Sequence, residues 1–534
     1  MKLPFAKENE RIFFDGAMGT MLQTEGLAPG ESPERWNLFR PETVRRVHAA
    51  YLSAGAGILK SNTFGANRLK MEKLGLDPRE VIVRGVTLAK EAVREAGRGL
   101  AAMDIGPTGR LLAPVGDLAF EDAVSLFAEM VSAGRDAGAD LILIETRSDL
   151  YEAKAAVLAA KENADLPVFV TMTFDKNGRL LTGGDAVTAA ATMEGLGVRA
   201  FGMNCGVGPD VIVPILKRMR EAVSIPLIAN PNAGLPRREN GRDVYDVGPE
   251  EFAAAMTGAA EAGAAILGGC CGTTPAHIAR LIEAIGEIPL PEEKTGLPAA
   301  VTSGIRTVRF GGEPVIVGNR IRPSGAQPEP WDPDDVVDEA LAEADDGADV
   351  IGVEAEISGG EDAACAAIRE VQSMTALPLA LGAADPGRLE KTMREYNGRP
   401  LVGPVTEETM DRVFPLVRKY GGVAVCLTEK SGGASRNAGE RLRAAEEILK
   451  TAAKYGVGKK DLLLDPLEEA DAGDGAEAIR ALKLIRETLG VGVSLGASGK
   501  VRADAALLAE AAEEGLDAVF ADPGEEDLID AVRE

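Results

Sequence analysis

The chain has 534 residues, a formal net charge of -26 and a hydrophobic content of 45%. The acidic excess argues against nucleic acid and anionic membrane surfaces as partners, and the length predicts two domains rather than one core. No uncharged apolar run of about 18 residues is present, so no membrane span is expected. The first ten residues lack an apolar h-region, so no secretory signal is expected. Five cysteines are too few for a disulfide framework and favour a reducing, cytoplasmic location.

Short apolar runs alternate with amphipathic stretches over the first half of the chain. Eight such runs are predicted to be strands: Arg11–Asp15, Gly57–Ser61, Leu100–Asp104, Asp140–Glu145, Pro167–Thr173, Ala200–Cys205, Pro226–Asn230 and Ala264–Gly269. Helical periodicity separates them, as in Val81–Ala96 and Asp210–Val223. Eight strand–helix units in this length predict a (β/α)8 barrel over residues 1–285.

A segment rich in proline and glycine follows and is predicted to be a linker over residues 286–305. A second series of eight apolar runs comes after it: Pro314–Gly318, Asp349–Val353, Pro378–Gly382, Pro400–Gly403, Val423–Leu427, Asp461–Asp465, Gly492–Leu495 and Asp517–Ala521. The predicted fold class is therefore α/β, with two (β/α)8 TIM barrels in tandem, the second over residues 306–534.

Each predicted strand of the first barrel ends in a polar group, at the place where (β/α)8 enzymes carry their chemistry. In strand order these groups are Asp15, Asn62 with Thr63, Asp104, Glu145, Thr173, Asn204 with Cys205, Asn230 with Asn232, and Cys270 with Cys271. Taken singly, each polar residue is equally consistent with turn or cap chemistry. Together they predict a site on one rim.

Three of these strand-end residues are cysteines. Cys205 follows the sixth strand and the pair Cys270 and Cys271 follows the eighth, and only the seventh strand separates them. A lone cysteine is usually a small packing residue, but three thiolates on one rim predict a zinc ion with an open fourth position, which is a reaction site. Neither His48 nor His277 is expected to be a ligand.

Six motifs, in order, resemble the homocysteine S-methyltransferase domain: Asp15–Thr20, Asn62–Ala66, Asp104–Pro107, Asn204-Cys205, Asn230–Gly234 and Gly268–Pro275. The two-barrel length is similar to the front half of cobalamin-dependent methionine synthase. This resemblance implies that Cys205, Cys270 and Cys271 act through zinc, and that a methyl group is transferred to the thiol of homocysteine to give methionine. It also implies Asn232 as a zinc ligand before substrate arrives; an Asx turn is the other interpretation.

The amino acid end of homocysteine needs an anion for its ammonium and donors for its carboxylate. Glu145 is the first candidate for the ammonium and Asp15 the second. The backbone N–H groups of the segment that contains Gly16, Ala17 and Thr20 suit the carboxylate. Thr63 and Asp104 are expected to complete this pocket.

The second barrel is similar to the folate barrel of the same family, but most of its pterin-binding groups differ. The family pattern Gly-Glu-Arg-Ile-Asn-Pro becomes Gly-Asn-Arg-Ile-Arg-Pro here, with Asn319 and Arg322 as the changed residues, and Glu354 stands where an Asn is expected. Asp465 keeps its type. The pattern predicts a divergent, pterin-binding-like barrel with Asp465 and Asn319 as candidate site residues, and it argues against ordinary folate binding.

The methyl donor implied by the resemblance is a methylated corrinoid on a separate protein, or a donor derived from methyltetrahydrofolate. One alternative is a homocysteine methyltransferase that uses a small methyl-sulfonium or methyl-ammonium donor. Another is a non-catalytic zinc scaffold that docks a corrinoid protein. The motif Asp15–Thr20 and Glu145 favour an enzyme, because a scaffold has no need of an amino acid pocket.

Overall fold

The structure is a computed structural model that describes residues 11–533 apart from 240–241, 293, 323–330, 354–356, 384, 430–436, 469–470, 472–474 and 500–502. The chain divides into two compact units, with the main division between Thr295 and Gly296. Each unit contains a parallel eight-stranded sheet surrounded by helices, which confirms the prediction of two (β/α)8 barrels in tandem. Within the described residues, no helix combines the length and apolarity that crossing a membrane requires.

The strands of the first barrel lie in chain order around the sheet, and a parallel bridge between Phe14 and Ile58 closes it. They are β1 (Ile12–Phe13), β2 (Ile58–Lys60), β3 (Leu100–Ile105), β4 (Leu141–Arg147), β5 (Val168–Met172), β6 (Ala200–Asn204), β7 (Leu227–Asn230) and β10 (Ala264–Leu267), with a hairpin of β8 (Arg237–Glu239) and β9 (Arg242–Val244) after β7. The helices are α1 (Met18–Thr24), α2 (Trp36–Phe39), α3 (Pro41–Ser53), α4 (Arg68–Met71), α5 (Pro78–Ala96), α6 (Phe120–Asp136), α7 (Leu150–Asn163), α8 (Ala186–Gly195), α9 (Ile212–Ala222), α10 (Pro249–Glu261) and α11 (Pro275–Ile285).

The strands of this barrel are mostly apolar because helices cover one side of the sheet and the packed interior covers the other. Phe14, Ile58, Leu143 and Phe169 are fully buried members of that interior. Lys60 departs from the pattern, since it is a charged residue in a short strand and is only 6% exposed.

The second barrel has the same arrangement, closed by a bridge between Val317 and Val350. Its strands are β13 (Val315–Gly318), β14 (Ile351–Val353), β15 (Leu379–Leu381), β16 (Leu401–Val405), β17 (Val423–Leu427), β18 (Leu462–Asp465), β19 (Gly492–Leu495) and β20 (Ala518–Ala521). Its helices are α12 (Pro333–Asp345), α13 (Gly360–Met374), α14 (Pro386–Glu395), α15 (Met410–Tyr420), α16 (Ala438–Lys454), α17 (Ala476–Leu489), α18 (Ala505–Glu513) and α19 (Glu526–Arg533).

An antiparallel hairpin of β11 (Ala300–Thr302) and β12 (Thr307–Arg309) precedes this barrel. Strand β11 lies within the segment predicted as a linker, so the end of that segment is ordered structure. Val301 and Phe310 pack in the same hydrophobic cluster as interior residues of the barrel such as Val317. Strand β12 has a single apolar residue, Val308, between two polar ones, so the hairpin lacks the apolar runs by which the barrel strands were predicted.

Candidate metal centre

Three cysteine side chains meet at the C-terminal end of the first barrel. Cys205 directly follows β6, and Cys270 and Cys271 lie in the loop after β10. Their Sγ atoms all lie within 4.8 Å of one another, a spacing that no other group of three His, Cys, Asp or Glu side chains reaches among the described residues. Zn–S bonds of about 2.3 Å in a tetrahedron place sulfurs about 3.8 Å apart. The three thiols therefore fit a metal ion with small side-chain adjustments.

The loop that carries Cys270 and Cys271 is held by hydrogen bonds from neighbouring segments. The Cys271 N–H donates to Asn232 Oδ1 at 3.1 Å, and the next N–H in the loop donates to Thr20 Oγ1 at 3.1 Å. Two of the predicted site residues, Asn232 and Thr20, thus contact the cysteine loop in this structure. The role of Asn232 as a metal ligand stays a prediction.

Cys205 has a backbone conformation that side chains rarely adopt. Its φ of 59° lies in the left-handed region, as does the φ of 61° at Thr146. Asn204 joins these elements, because its Nδ2 donates to Thr146 Oγ1 at 2.7 Å and to Cys270 Sγ at 3.7 Å. Its Oδ1 accepts the Thr146 N–H at 3.1 Å. Left-handed residues of this kind collect at functional sites, where surrounding contacts hold them in place.

The three thiols also interact electrostatically. Hydrogen bonds from Cys270 and Cys271 lower the pKa of the Cys205 thiol to about 3, and the same contacts raise the pKa of Cys271. One sulfur is therefore stabilised as an anion by the other two S–H groups. A bound cation would favour deprotonation of all three, because metal ligation requires thiolates.

Buried charged side chains lie beside the sulfur cluster. Lys60 Nζ is 3.3 Å from Glu145 Oε1 and 4.0 Å from Asp15 Oδ1. It also donates to the carbonyl of Gly269, the residue before Cys270, at 3.2 Å. The structure thus brings the predicted pair Asp15 and Glu145 together with a lysine that the sequence analysis did not name.

Burial is the largest single influence on the pKa values of the charged groups in this pocket. It raises the pKa of Asp15 to about 7, although the Lys60 ammonium opposes the shift. Burial also raises the pKa of Asp104, and the nearby Glu145 carboxylate adds to that increase. Burial would lower the pKa of Lys60, but Glu145 and Asp15 together more than offset it, so the pKa of Lys60 is raised.

Several buried polar atoms of the pocket have no hydrogen-bond partner. They are Oδ1 of Asp15, Oδ1 of Asp104, and both side-chain atoms of Asn230 at the end of β7. Buried polar groups in native proteins are nearly always paired, so such atoms indicate a site for a ligand or bound water. The sequence analysis listed Asn230 among the strand-end polar groups but gave it no role in binding substrate or metal.

Other predicted residues have supporting positions. The Thr63 hydroxyl donates to the Asp104 carbonyl at 2.8 Å and so holds the strand end that carries this acid. A Cβ at Gly16 would lie 2.5 Å from Thr273 Oγ1, which shows that the Asp15–Thr20 segment packs tightly on the cysteine loop. Ala17 is the N-cap of α1 and makes no side-chain cap hydrogen bond.

The two histidines lie outside the sulfur cluster. His277 Nε2 contacts the Val247 carbonyl at 3.0 Å, and its Nδ1 lies 2.9 Å from the Thr274 hydroxyl in a capping box. His48 is fully buried, and burial lowers its pKa to about 4. Neither belongs to the cysteine cluster, in line with the expectation from sequence.

Sequence patterns contained partial indications of the residues that were missed. Lys60 is a lone charged residue inside an otherwise apolar strand, and buried lysines are rare unless they are paired. Asn204 and Asn230 end neighbouring strands, but the side-chain contacts of Asn204 involve residues far away in the chain. Only the folded barrel shows which of these strand ends face one another.

The candidate residues of the second barrel have different surroundings. Asp465 is 1% exposed, and its carboxylate accepts the backbone N–H groups of Leu467 at 3.0 Å and Ala497 at 2.8 Å. Burial raises the pKa of Asp465 to about 7. Asn319 and Arg322 line a cavity of about 340 Å³ whose lining does not include Asp465. Glu354 lies outside the described residues.

Fold and rim together define a (β/α)8 enzyme with a cysteine cluster that can hold a metal ion. The chain belongs to the homocysteine S-methyltransferase family, because the sequence model of that family matches residues 12–285, just over half of its length. This membership makes it a methyltransferase-family enzyme that acts on homocysteine.

Individual relatives show how far the similarity extends. The chain is 29% identical to methionine synthase from Mycobacterium tuberculosis over 559 aligned residues, covering 95% of this chain and 47% of that protein. It is 28% identical to methionine synthase from Mycobacterium leprae, with the same coverage of 95% and 47%. The chain therefore spans about half the length of these relatives. Among solved structures, the metallated homocysteine methyltransferase MmuM from Escherichia coli matches with 26% identity and a TM-score of 0.45, covering 51% of this chain and 96% of that one.

Proposed function

We propose that the first barrel catalyses zinc-dependent transfer of a methyl group to the thiol of homocysteine, giving methionine. The observation that carries this proposal is the meeting of three Sγ atoms within 4.8 Å beside a buried, charged pocket. A scaffold without catalytic function would need the sulfurs alone. Buried carboxylate oxygens of Asp15 and Asp104 that lack a hydrogen-bond partner instead support a pocket that receives a polar ligand.

The sulfur trio fits zinc in donor type and spacing. Cys205, Cys270 and Cys271 would hold the ion, and zinc would supply a positive charge that stabilises the thiolate form of the substrate at neutral pH. The residues around the sulfurs keep them oriented: Asn204 donates a hydrogen bond to Cys270 Sγ, and Asn232 accepts one from the Cys271 backbone. Such contacts from outside the ligand set fix side-chain orientation and tune affinity.

The remaining side chains of the rim bind the amino acid portion of the substrate in this proposal. Glu145 and Asp15 receive the α-ammonium, and Asp104 adds a polar group to the pocket, with Thr63 holding the Asp104 strand end. The segment Asp15–Thr20 lies against the cysteine loop, so its backbone N–H groups are near the place where a zinc-bound thiol would carry its amino acid end. Burial of these groups excludes water and strengthens their electrostatic interactions.

We further propose that the methyl donor is a methylated corrinoid. The hydrogen bonds that Asp465 accepts from its own neighbouring loops leave it less able to bind a pterin, which weakens the case for direct use of folate. A small methyl-sulfonium or methyl-ammonium donor is the variant to compare.

Calorimetric titration of homocysteine into zinc-loaded and zinc-free protein tests this function. We expect binding only to the zinc-loaded form, with release of about one proton near neutral pH, because the thiol binds as a thiolate. Methionine has no thiol and serves as the control that releases no proton. Homocysteine that fails to bind the zinc-loaded protein would refute the proposal. Turnover is then measured as methionine formed from homocysteine with free methylcobalamin as the donor.

A further inference from the structure

Lys60 places a buried cation in the centre of the proposed amino acid pocket. Its side chain is 7% exposed, and Nζ lies 3.3 Å from Glu145 Oε1 and 4.0 Å from Asp15 Oδ1. Nζ also donates to the carbonyl of Gly269 at 3.2 Å, and Gly269 is joined directly to Cys270. The ammonium therefore lies between the two carboxylates and the loop of the sulfur cluster.

The fold alone gives little reason for a lysine at this position. Strand β2 is otherwise apolar, and the residues before Lys60 are fully buried Ile58 and Leu59. Removing a lysine and its partners from water is costly, and buried ion pairs often contribute no more stability than well-packed apolar residues. A role in ligand binding explains why the charge is kept here.

We propose that Lys60 determines specificity for the α-carboxylate of the thiol substrate: its ammonium binds that carboxylate while Glu145 and Asp15 bind the α-ammonium. This inference rests on the proposed function and adds a recognition residue to it. An α-amino acid carries its ammonium and its carboxylate group on the same carbon. Lys60 and Glu145 present the two opposite charges side by side, with 3.3 Å between Nζ and Oε1. On binding, the internal ion pair is exchanged for ion pairs with the substrate, so each buried charge keeps a partner.

Arg147, a second buried cation near Asp104, has an ion-pair partner and a ring contact outside the pair of Asp15 and Glu145. Its NH1 atom lies 3.2 Å from Glu152 Oε2, and its guanidinium is 4.5 Å from the centre of the Phe127 ring. The backbone N–H groups that follow Asp15 are compatible with the same role, since a carboxylate has two oxygens that different donors can share. Lys60 supplies the charge that these neutral donors lack.

Three thiols separate the contributions of the two substrate charges: homocysteine, 3-aminopropane-1-thiol, which lacks the carboxylate, and 4-sulfanylbutanoate, which lacks the ammonium. Their dissociation constants are measured by calorimetry with the full-length, zinc-loaded protein. We expect the wild type to bind homocysteine about 10- to 100-fold more tightly than 3-aminopropane-1-thiol, the range typical of a hydrogen bond between charged groups.

The variant Lys60→Met should remove this preference. The affinity of the variant for homocysteine should fall to its affinity for 3-aminopropane-1-thiol. The affinity for 3-aminopropane-1-thiol itself should change less than about threefold. Lys60→Arg keeps a positive charge and should retain part of the preference. Lys90→Met is the matched control, because Lys90 pairs with Asp140 at 2.7 Å on a partly exposed surface of the same barrel. It should leave all three affinities unchanged.

Zinc content and circular dichroism establish that each variant is loaded and folded. If Lys60→Met lost affinity for homocysteine and for 3-aminopropane-1-thiol by the same factor, the proposal would be overturned and Lys60 would have a structural role. Tighter homocysteine binding in that variant would also overturn it, since Lys60 would then occupy the place of the substrate ammonium. If Lys60→Met does not fold, the wild-type comparison decides: equal affinity for homocysteine and 3-aminopropane-1-thiol refutes carboxylate recognition. Absence of any homocysteine binding to the wild type would instead refute the proposed function.

Discussion

Asp15 in the first barrel and Asp465 in the second both lie at the C-terminal end of a strand, but their surroundings differ. Each lies at the end of a barrel strand, each is 1% exposed, and burial raises the pKa of each to about 7. Asp465 accepts backbone N–H groups from Leu467 and Ala497, so the fold itself uses its oxygens. Asp15 has one buried oxygen without a hydrogen-bond partner.

This difference shows that a buried acid at a strand end is not sufficient to define a site. What distinguishes the rim of the first barrel, among the described residues, is that a cluster of three thiols lies beside charged groups from several strands. The (β/α)8 scaffold supports either condition, because its core depends on apolar strand interiors rather than on its rim. The predictions below test whether metal binding and buried charge separate the two barrels in this way.

The largest expected effect is loss of the metal from Cys270→Ala. Removing one of three thiolates leaves too few ligands for a zinc site of this kind. Zinc retained after dialysis, measured by inductively coupled plasma mass spectrometry, should fall from about one ion per chain to near zero. The far-ultraviolet circular dichroism should stay unchanged, because the apolar barrel interior does not include this residue.

Cys426→Ala provides the contrasting control in the second barrel. Cys426 lies within β17, is 1% exposed and is not part of the sulfur cluster. The variant should keep its zinc. It should lose about 1 kcal/mol or more of stability from the smaller side chain in a packed core. Loss of zinc from both variants would show that the metal depends on overall stability rather than on the rim of the first barrel.

A buried acid of the second barrel should reduce its stability at alkaline pH. Glu343 on α12 is fully buried, and burial raises its pKa to about 7. The folded-state pKa of Glu343 exceeds the usual value of 4.5. The contribution of Glu343 to the free energy of unfolding is therefore greatest below pH 4.5 and declines as the pH rises to about 7. In the wild type, the backbone N–H of Arg320 donates to Glu343 Oε1 at 2.7 Å. Glu343→Gln keeps an oxygen that can accept this hydrogen bond and removes the ionisable carboxyl group.

The variant should therefore be more stable than the wild type by about 3 kcal/mol at pH 8 and by about 2 kcal/mol at pH 6. Urea unfolding at both pH values measures this difference. Glu339→Gln on the same helix is the control, since this partly exposed residue forms an ion pair with Arg320 at 3.2 Å and should change stability by less than about 1 kcal/mol. A Glu343→Gln variant with no gain at pH 8 would show that ionised Glu343 is stabilised in the fold.

The sequence predicts the architecture well because barrel strands are short apolar runs at regular intervals. Strands β17 and β19 have the bounds expected from their apolar runs, and Cys205, Cys270 and Cys271 converge as their strand numbers require. Closure of a parallel barrel brings strand ends together whatever the details of packing.

The finer contacts were beyond sequence reasoning for physical reasons. Lys60 meets Glu145 across 85 positions in the chain and Gly269 across 209, and no local pattern specifies such partners. The left-handed backbone at Cys205 is an unusual state for a residue with a side chain, so propensity predicts against it. Asn204 was visible as a strand end, but its bond to Cys270 Sγ depends on how two loops pack.

The smallest of the predicted effects concerns that bond. Asn204→Ala removes the N–H donor to Cys270 Sγ and both contacts to Thr146, so the thiolates lose an outer support without losing a ligand. Zinc affinity, measured by competition with a chromophoric chelator, should fall about 10- to 100-fold. Thr173→Val is the matched control. In the wild type, the Thr173 hydroxyl donates a hydrogen bond to the Asn204 carbonyl at 3.1 Å. The zinc affinity of Thr173→Val should change less than about threefold. Equal losses in both variants would mean that general packing at the end of β6 controls the metal. A loss confined to Asn204→Ala would tie the metal affinity of the first barrel to the side-chain hydrogen bonds of Asn204. Among the described residues, the second barrel has no cysteine cluster that such bonds could support.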